Sequence, residues 1–117
     1  MAEPARPLDA LEQTIRDRAQ AMGESGAAEK SYTAKLLAAG AEKIGSKVTE
    51  EAAELVEAAT ESGDDGRKHF VYEAGDLLYH TLVLLRWRGV ELNEVEEELA
   101  RRFGVSGIDE KASRKKE

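Results

Sequence analysis

There is no cysteine in these 117 residues. Disulfides, thiol nucleophiles and cysteine-held zinc are therefore excluded. The only two prolines, Pro4 and Pro7, stand at the start, and aromatic residues make up 5% of the chain. With β-branched residues scattered and Ala, Leu, Glu, Lys and Arg dominant, the composition predicts an all-α fold. No hydrophobic run is long enough for a bilayer. The longest, Leu77 to Leu85, is broken by Tyr79, His80 and Thr81, where about 20 apolar residues are needed. MAEPARPLDAL carries no apolar signal-peptide core, so no membrane is expected and a cytoplasmic location follows. Basic residues are also in deficit, 17 Lys and Arg against 24 Asp and Glu, for a net charge of -7. A nucleic-acid surface needs a basic stripe, which this balance argues against. Phosphate handled by such a chain calls for a cation.

What is present suits one small domain, 41% hydrophobic and 35% charged. A chain this short buries a limited fraction of its surface alone, and an oligomer would relieve a thin core. Glycines at 23, 40, 63, 89 and 104 each follow a helix-like run, predicting about four or five helices. The first runs from about Pro7 or Asp9 to Met22, with Leu8, Leu11, Ile15 and Ala19 on one face. A short helix capped by Ser31 or Thr33 ends at Gly40. Two long helices follow, about Ala41 to Ser62 and about Arg67 to Arg88, and the turn SGDDG between them makes an antiparallel hairpin. Asn93 predicts the cap of a last helix, with Glu96 as capping-box partner. Residues 1–7 are expected to be a disordered extension, 8–110 the domain, and 111–117 a frayed basic tail.

The segment KVTEEAAELVEAA, Lys47 to Ala59, holds Glu50, Glu51, Glu54 and Glu57 in one helix. At about 100° per residue, Ile44, Val48, Ala52, Leu55 and Ala59 fall in one arc, and Glu51 lies only about 20° outside it, with Glu54 the next step round. Glu50, Glu57 and Glu61 project further away. On the partner helix Phe70, Ala74, Leu77, Leu78, Thr81, Leu84 and Leu85 form a broad inner arc; Glu73 sits about 20° beyond its edge, followed by Asp76 and His80. Two i, i+3 acid pairs, Glu51/Glu54 and Glu73/Asp76, are thus placed to converge across the hairpin. Convergent carboxylates need a cation, and all-oxygen ligation suits Mg²⁺ or Mn²⁺, which keep waters and then take phosphate oxygens. The alternative is plain helix surface, with Glu51 and Glu54 beside Lys43 and Lys47.

His80 does not make a di-iron site, because that pattern repeats a Glu-x-x-His spacing and His80 is four residues after Asp76. Neither His80 nor His69 is assigned a role. Lys35 and Lys47 are candidate phosphate contacts, since a lysine serves phosphate as a point charge; Lys35 reads equally as an exposed helix residue.

EEAAE at 50–54 followed by EAGD at 73–76 resembles the all-α nucleoside triphosphate pyrophosphatase superfamily, the MazG-like proteins. Taken with SYTAKLLAAG, YEAGDLLYHTLVLL, ELNEVEEELARRFG and SGIDEKASRK, the chain from about Leu8 to Lys115 resembles the phosphoribosyl-ATP pyrophosphatase family of histidine biosynthesis. The resemblance implies hydrolysis of 1-(5-phosphoribosyl)-ATP to phosphoribosyl-AMP and pyrophosphate with Mg²⁺, for which attack by a metal-activated water needs no covalent intermediate. It implies metal on Glu51, Glu54, Glu73 and Asp76, with Glu50 as a neighbouring member of the catalytic group. It also implies a homodimer of helical hairpins in a larger bundle. Two other functions stay open: a house-cleaning nucleoside triphosphate pyrophosphatase using the same acids, and a non-catalytic helical dimerisation module.

Overall fold

In the computed structural model residues 6–23 and 31–104 are described, and they form five α-helices and no strand. The basic tail at 111–117 lies outside the described residues. Pro7 opens α1 (Pro7–Gln20), where its missing N–H costs nothing, and a single 3₁₀ turn, Ala21–Gly23, ends it. Helix α2 (Tyr32–Ala39) starts at Ser31, whose hydroxyl accepts from the Ala34 N–H at 3.1 Å. The hairpin follows as α3 (Ala41–Ala58) and α4 (Gly63–Arg88), the most extensively packed pair among the described elements. Gly89, in the left-handed region at φ 79°, closes α4, and α5 (Leu92–Phe103) completes the described chain.

Two boundaries differ from the sequence expectation. SGDDG is not a turn between helices: α4 begins at Gly63, and Asp64 and Asp65 occupy its first turn, where negative charge suits the exposed N–H groups. The link is therefore only Ala59 to Ser62, and it closes tightly. A Cβ on Gly66 would stand 2.8 Å from the backbone of Glu61, so a side chain there forces the hairpin open. Likewise α5 is capped by Glu91, not Asn93. Glu91 and Glu94 form the reciprocal capping box, with the Glu91 N–H donating to Glu94 Oε2 at 2.8 Å.

The hairpin seam repeats every seven residues. Ile44, Glu51 and Ala58 are the buried positions of α3, and Gly66, Glu73 and His80 recur at the same interval on α4. Such spacing keeps one stripe of each helix facing its neighbour at a shallow crossing angle. Because the helices are antiparallel, the glycine and alanine meet near the tip and the acids meet midway. At the open end Ile44 joins Ile15, Leu36, Leu37, Leu82 and Val83 in the apolar core, with α1 and α2 packed across the hairpin.

The expected inner arc of α4 is not the one the protomer covers. Phe70 and Leu78, placed inward by periodicity, are exposed, Leu78 to 47%, whereas Glu73 and His80 are buried. Helix α5 buries no residue. Together with Leu8, its residues Leu92, Val95 and Leu99 and the α4 residues Leu78 and Leu85 line an apolar groove of about 420 Å³. Among the described residues no helix is long and apolar enough to cross a membrane.

Candidate metal centre

Glu51 and Glu54 lie one helical turn apart on α3, and Glu73 faces them from α4. One carboxylate oxygen from each lies within 4.8 Å of the others. Glu51 is 9% exposed and Glu73 5%; the Oε2 atoms of both are buried without a hydrogen-bond partner among the described residues. Buried carboxylate oxygens are costly when left unpaired. The seam supplies the reason they are held there: both residues occupy its repeat positions, so the packing that forms the hairpin carries the acids inside.

Proton affinity reports the same crowding. The Glu73 carboxyl is pushed up to about 7, chiefly because it shares a hydrogen bond with Glu54, then by burial and by the charges of Glu54 and Glu51, against a small opposing pull from His69. Burial also raises Glu51, followed by the charges of Asp76 and Glu54. Asp76 therefore borders the cluster beside Glu51, without belonging to the three-oxygen group. Glu50 is exposed and points to Lys47, with Nζ at 3.5 Å, so it stands outside the convergent acids. Lys35 is exposed on α2 and makes no ion pair or side-chain hydrogen bond among the described residues.

Both histidines, given no role from the sequence, touch this cluster. His69 places Nδ1 2.9 Å from Glu61 and Nε2 3.5 Å from Glu73. Glu61 raises the His69 imidazole above its usual range through that hydrogen bond. His80 is buried, and its Nδ1 donates to the Asp76 carbonyl at 3.0 Å, since a carbonyl can only accept. In the neutral ring this leaves Nε2 to accept from the Tyr32 hydroxyl at 3.0 Å. His80 Nδ1 also lies 3.9 Å from Glu51 Oε1. The signal was in the spacing: His69 is one turn before Glu73, and His80 one turn after Asp76.

The donor set fits a hard divalent cation. It is all oxygen, anionic and partly desolvated, and it contains two buried oxygens that lack any other partner. The class of chemistry that such a set suits is metal-assisted hydrolysis of a phosphorylated substrate.

Comparison with known proteins narrows this class. Residues 8–103 match the family described as Phosphoribosyl-ATP pyrophosphohydrolase, and the chain belongs to that family. It is 56% identical over 114 residues to a "Phosphoribosyl-ATP pyrophosphatase" of Rhodopirellula baltica, covering 97% of this chain and 91% of the relative. It is 49% identical over 112 residues to "Phosphoribosyl-ATP pyrophosphatase 1" of Bradyrhizobium diazoefficiens, covering 96% and 98%. It is also 53% identical over 87 residues to "Histidine biosynthesis bifunctional protein HisIE" of Wolinella succinogenes, covering 74% of this chain and 37% of that longer protein.

Proposed function

We propose that this chain hydrolyses 1-(5-phosphoribosyl)-ATP to 1-(5-phosphoribosyl)-AMP and pyrophosphate, a step of histidine biosynthesis, in the cytoplasm. The observation that carries the reading is the pair of buried carboxylate oxygens without partners, in a chain of this family. Glu51, Glu54 and Glu73 would hold Mg²⁺, with Mn²⁺ as a possible substitute and Asp76 completing the set from the edge. Bound there, the ion neutralises triphosphate charge and polarises the phosphoryl group toward attack by water.

The protein's own contribution is placement. The seam keeps Glu51 and Glu73 facing each other before substrate arrives, so little reorganisation is needed. Glu73, titrating near neutrality, gives up its proton when a cation takes its place. Lys47, steered by Glu50, is the better placed of the two lysines to meet a phosphate; Lys35 remains a second candidate. Glu50 acts in this reading by holding that lysine.

The exposed arc of α4 is assigned to a second copy of the chain. Leu78, with Leu99 and Phe103 of α5, leaves a large apolar surface open in one protomer, and a small helical chain is short of core by itself. A homodimer covers it.

Pyrophosphate release, measured with Mg²⁺ on phosphoribosyl-ATP, ATP and deoxynucleoside triphosphates, tests the reading. Preference for phosphoribosyl-ATP is the expected result. Turnover of the ordinary triphosphates alone would point to a house-cleaning enzyme, and no turnover at all to a dimerisation module.

A further inference from the structure

Tyr32, the second residue of the SYTAKL segment, is 50% exposed, yet it is firmly held. Its hydroxyl is tied to the buried ring of His80 at 3.0 Å. Its ring lies nearly parallel to that of Tyr79, with centroids 6.3 Å apart and planes at 22°. His80 stands edge-on to both rings, 5.9 Å from Tyr32 and 5.0 Å from Tyr79. The neighbouring Thr33 is hydrogen-bonded through its hydroxyl to Tyr79. Three side chains, Thr33 of α2 and Tyr79 and His80 of α4, thus fix one aromatic ring while leaving half its surface to solvent.

The place of that ring matters. His80, which holds it, lies 3.9 Å from Glu51 Oε1 and bonds the carbonyl of Asp76. The Tyr32 phenol, raised mainly by burial, also feels the charges of Lys47, Glu51 and Glu50. An open aromatic surface therefore stands beside the acids and the lysine that would handle a triphosphate. Phe70 and Tyr72 on α4 are exposed too, but neither stacks on another ring nor bonds a buried polar side chain among the described residues. A rigid ring loses little freedom when a base settles on it; a free one loses more.

We propose that Tyr32 is a specificity-determining residue whose open face stacks on the adenine base of the substrate, with His80 and Tyr79 as the positioning residues that hold it. This rests on the function proposed above. Adenine alkylated at N1 becomes a much stronger base than adenine itself and carries positive charge near neutral pH. An electron-rich phenol face attracts such a cation in addition to stacking on it. Tyr32 therefore favours the N1-phosphoribosyl base over the neutral base of ATP.

The test is steady-state hydrolysis of phosphoribosyl-ATP and ATP by the full chain with Mg²⁺, comparing wild type, Tyr32→Phe and Tyr32→Leu. Tyr32→Leu removes the π face and should raise KM for phosphoribosyl-ATP about tenfold or more, with a smaller change in kcat. Its preference for phosphoribosyl-ATP over ATP should shrink too, by a smaller factor, because stacking on the neutral base of ATP is lost as well. Tyr32→Phe keeps the ring, gives up the His80 bond, and should raise KM by no more than about fivefold. Equal effects of the two variants, or an unchanged KM in Tyr32→Leu, overturn the assignment. Wild type inactive on phosphoribosyl-ATP brings down the proposed function instead, and this inference with it. If Tyr32→Leu does not hold its fold by circular dichroism, Tyr32→Trp in a Trp87→Phe background decides. Saturable quenching of its fluorescence by phosphoribosyl-AMP supports stacking, and no quenching overturns it.

Discussion

Helix α4 buries Glu73 and His80 on one side while leaving Tyr72 65% and Leu78 47% exposed on others. Each side reverses what transfer free energies alone would dictate for one protomer. The acid side is incomplete because two of its oxygens lack partners among the described residues, and the proposed cation, or a proton, would complete it. The apolar side is incomplete because its surface lacks a cover, which the proposed second copy would supply. A single helix thus carries the proposed site and the proposed interface on different sides, and the two should fail separately.

Removing a seam acid should have the largest effect. Glu51→Gln keeps the shape and hydrogen-bonding capacity of the side chain but takes away a buried charge, so the metal-free protein should melt no lower than wild type. Activity should nonetheless fall by more than the roughly 10- to 100-fold typical of losing a supporting group around a metal. Glu57→Gln, exposed on the same helix, should leave turnover within a few-fold. Glu61 is a poor control because it accepts from His69, which reaches Glu73. An equal loss in Glu51→Gln and Glu57→Gln would show that the seam acids have no special place.

The five helices could be read from glycine spacing and apolar periodicity, and the structure does draw together Glu51, Glu54 and Glu73, which helical angles place near the seam. What could not be read was the facing of α4. A helix apolar around most of its circumference has little angular preference of its own, so periodicity settles on its broadest apolar arc. That arc suits a covered helix in an assembly. Within the protomer the stripe Gly66, Glu73, His80 wins, because glycine allows the close approach at the hairpin tip and the seven-residue repeat carries that contact onward. The histidines are hard to read for a related reason. Their i, i+4 spacing to Glu73 and from Asp76 is visible in the sequence, but their partners outside α4 are not: Tyr32 of α2 for His80, and Glu61 of the hairpin link for His69.

The apolar side is broken by a charge rather than by losing one. Leu78→Glu places a carboxylate in the surface assigned to the second copy, where an unpaired charge is strongly disfavoured. Sedimentation at micromolar concentration should show protomers in place of dimers, with helical content retained. A wild type that sediments as a protomer under the same conditions would remove the second copy from the account and leave the exposed arc unexplained.

Acid and metal should compete on the other side. Glu73 in the folded protein titrates at about 7 against an ordinary value of 4.5, so the folded state holds this proton more tightly than the unfolded one. The stability it contributes is full below the ordinary value and is lost as pH rises through about 7. Without metal, the melting temperature should therefore fall between roughly pH 5 and pH 8. Millimolar Mg²⁺ should restore about 5 °C or more at the upper pH and much less at the lower, where protons occupy the site. A shift independent of pH would mean that the ion binds elsewhere.

The smallest effect expected is at the edge of the apolar groove. The N-terminus of α5 is held by its capping box and by the Leu92 N–H donating to Glu12 Oε2 at 2.6 Å. Glu94→Ala removes one arm of the box, leaving the Glu91 N–H to water, and should cost about 0.5 to 1 kcal/mol of stability. Because α5 touches the hairpin along the groove and not at the acids, the melting temperature should drop by a few degrees while kcat and KM for phosphoribosyl-ATP stay as in wild type. Some weakening of the dimer is compatible with this, since Leu92, Val95 and Leu99 line the same groove. A loss of turnover in Glu94→Ala comparable to that in Glu51→Gln, with the dimer intact, would mean that the two sides of α4 are not separable.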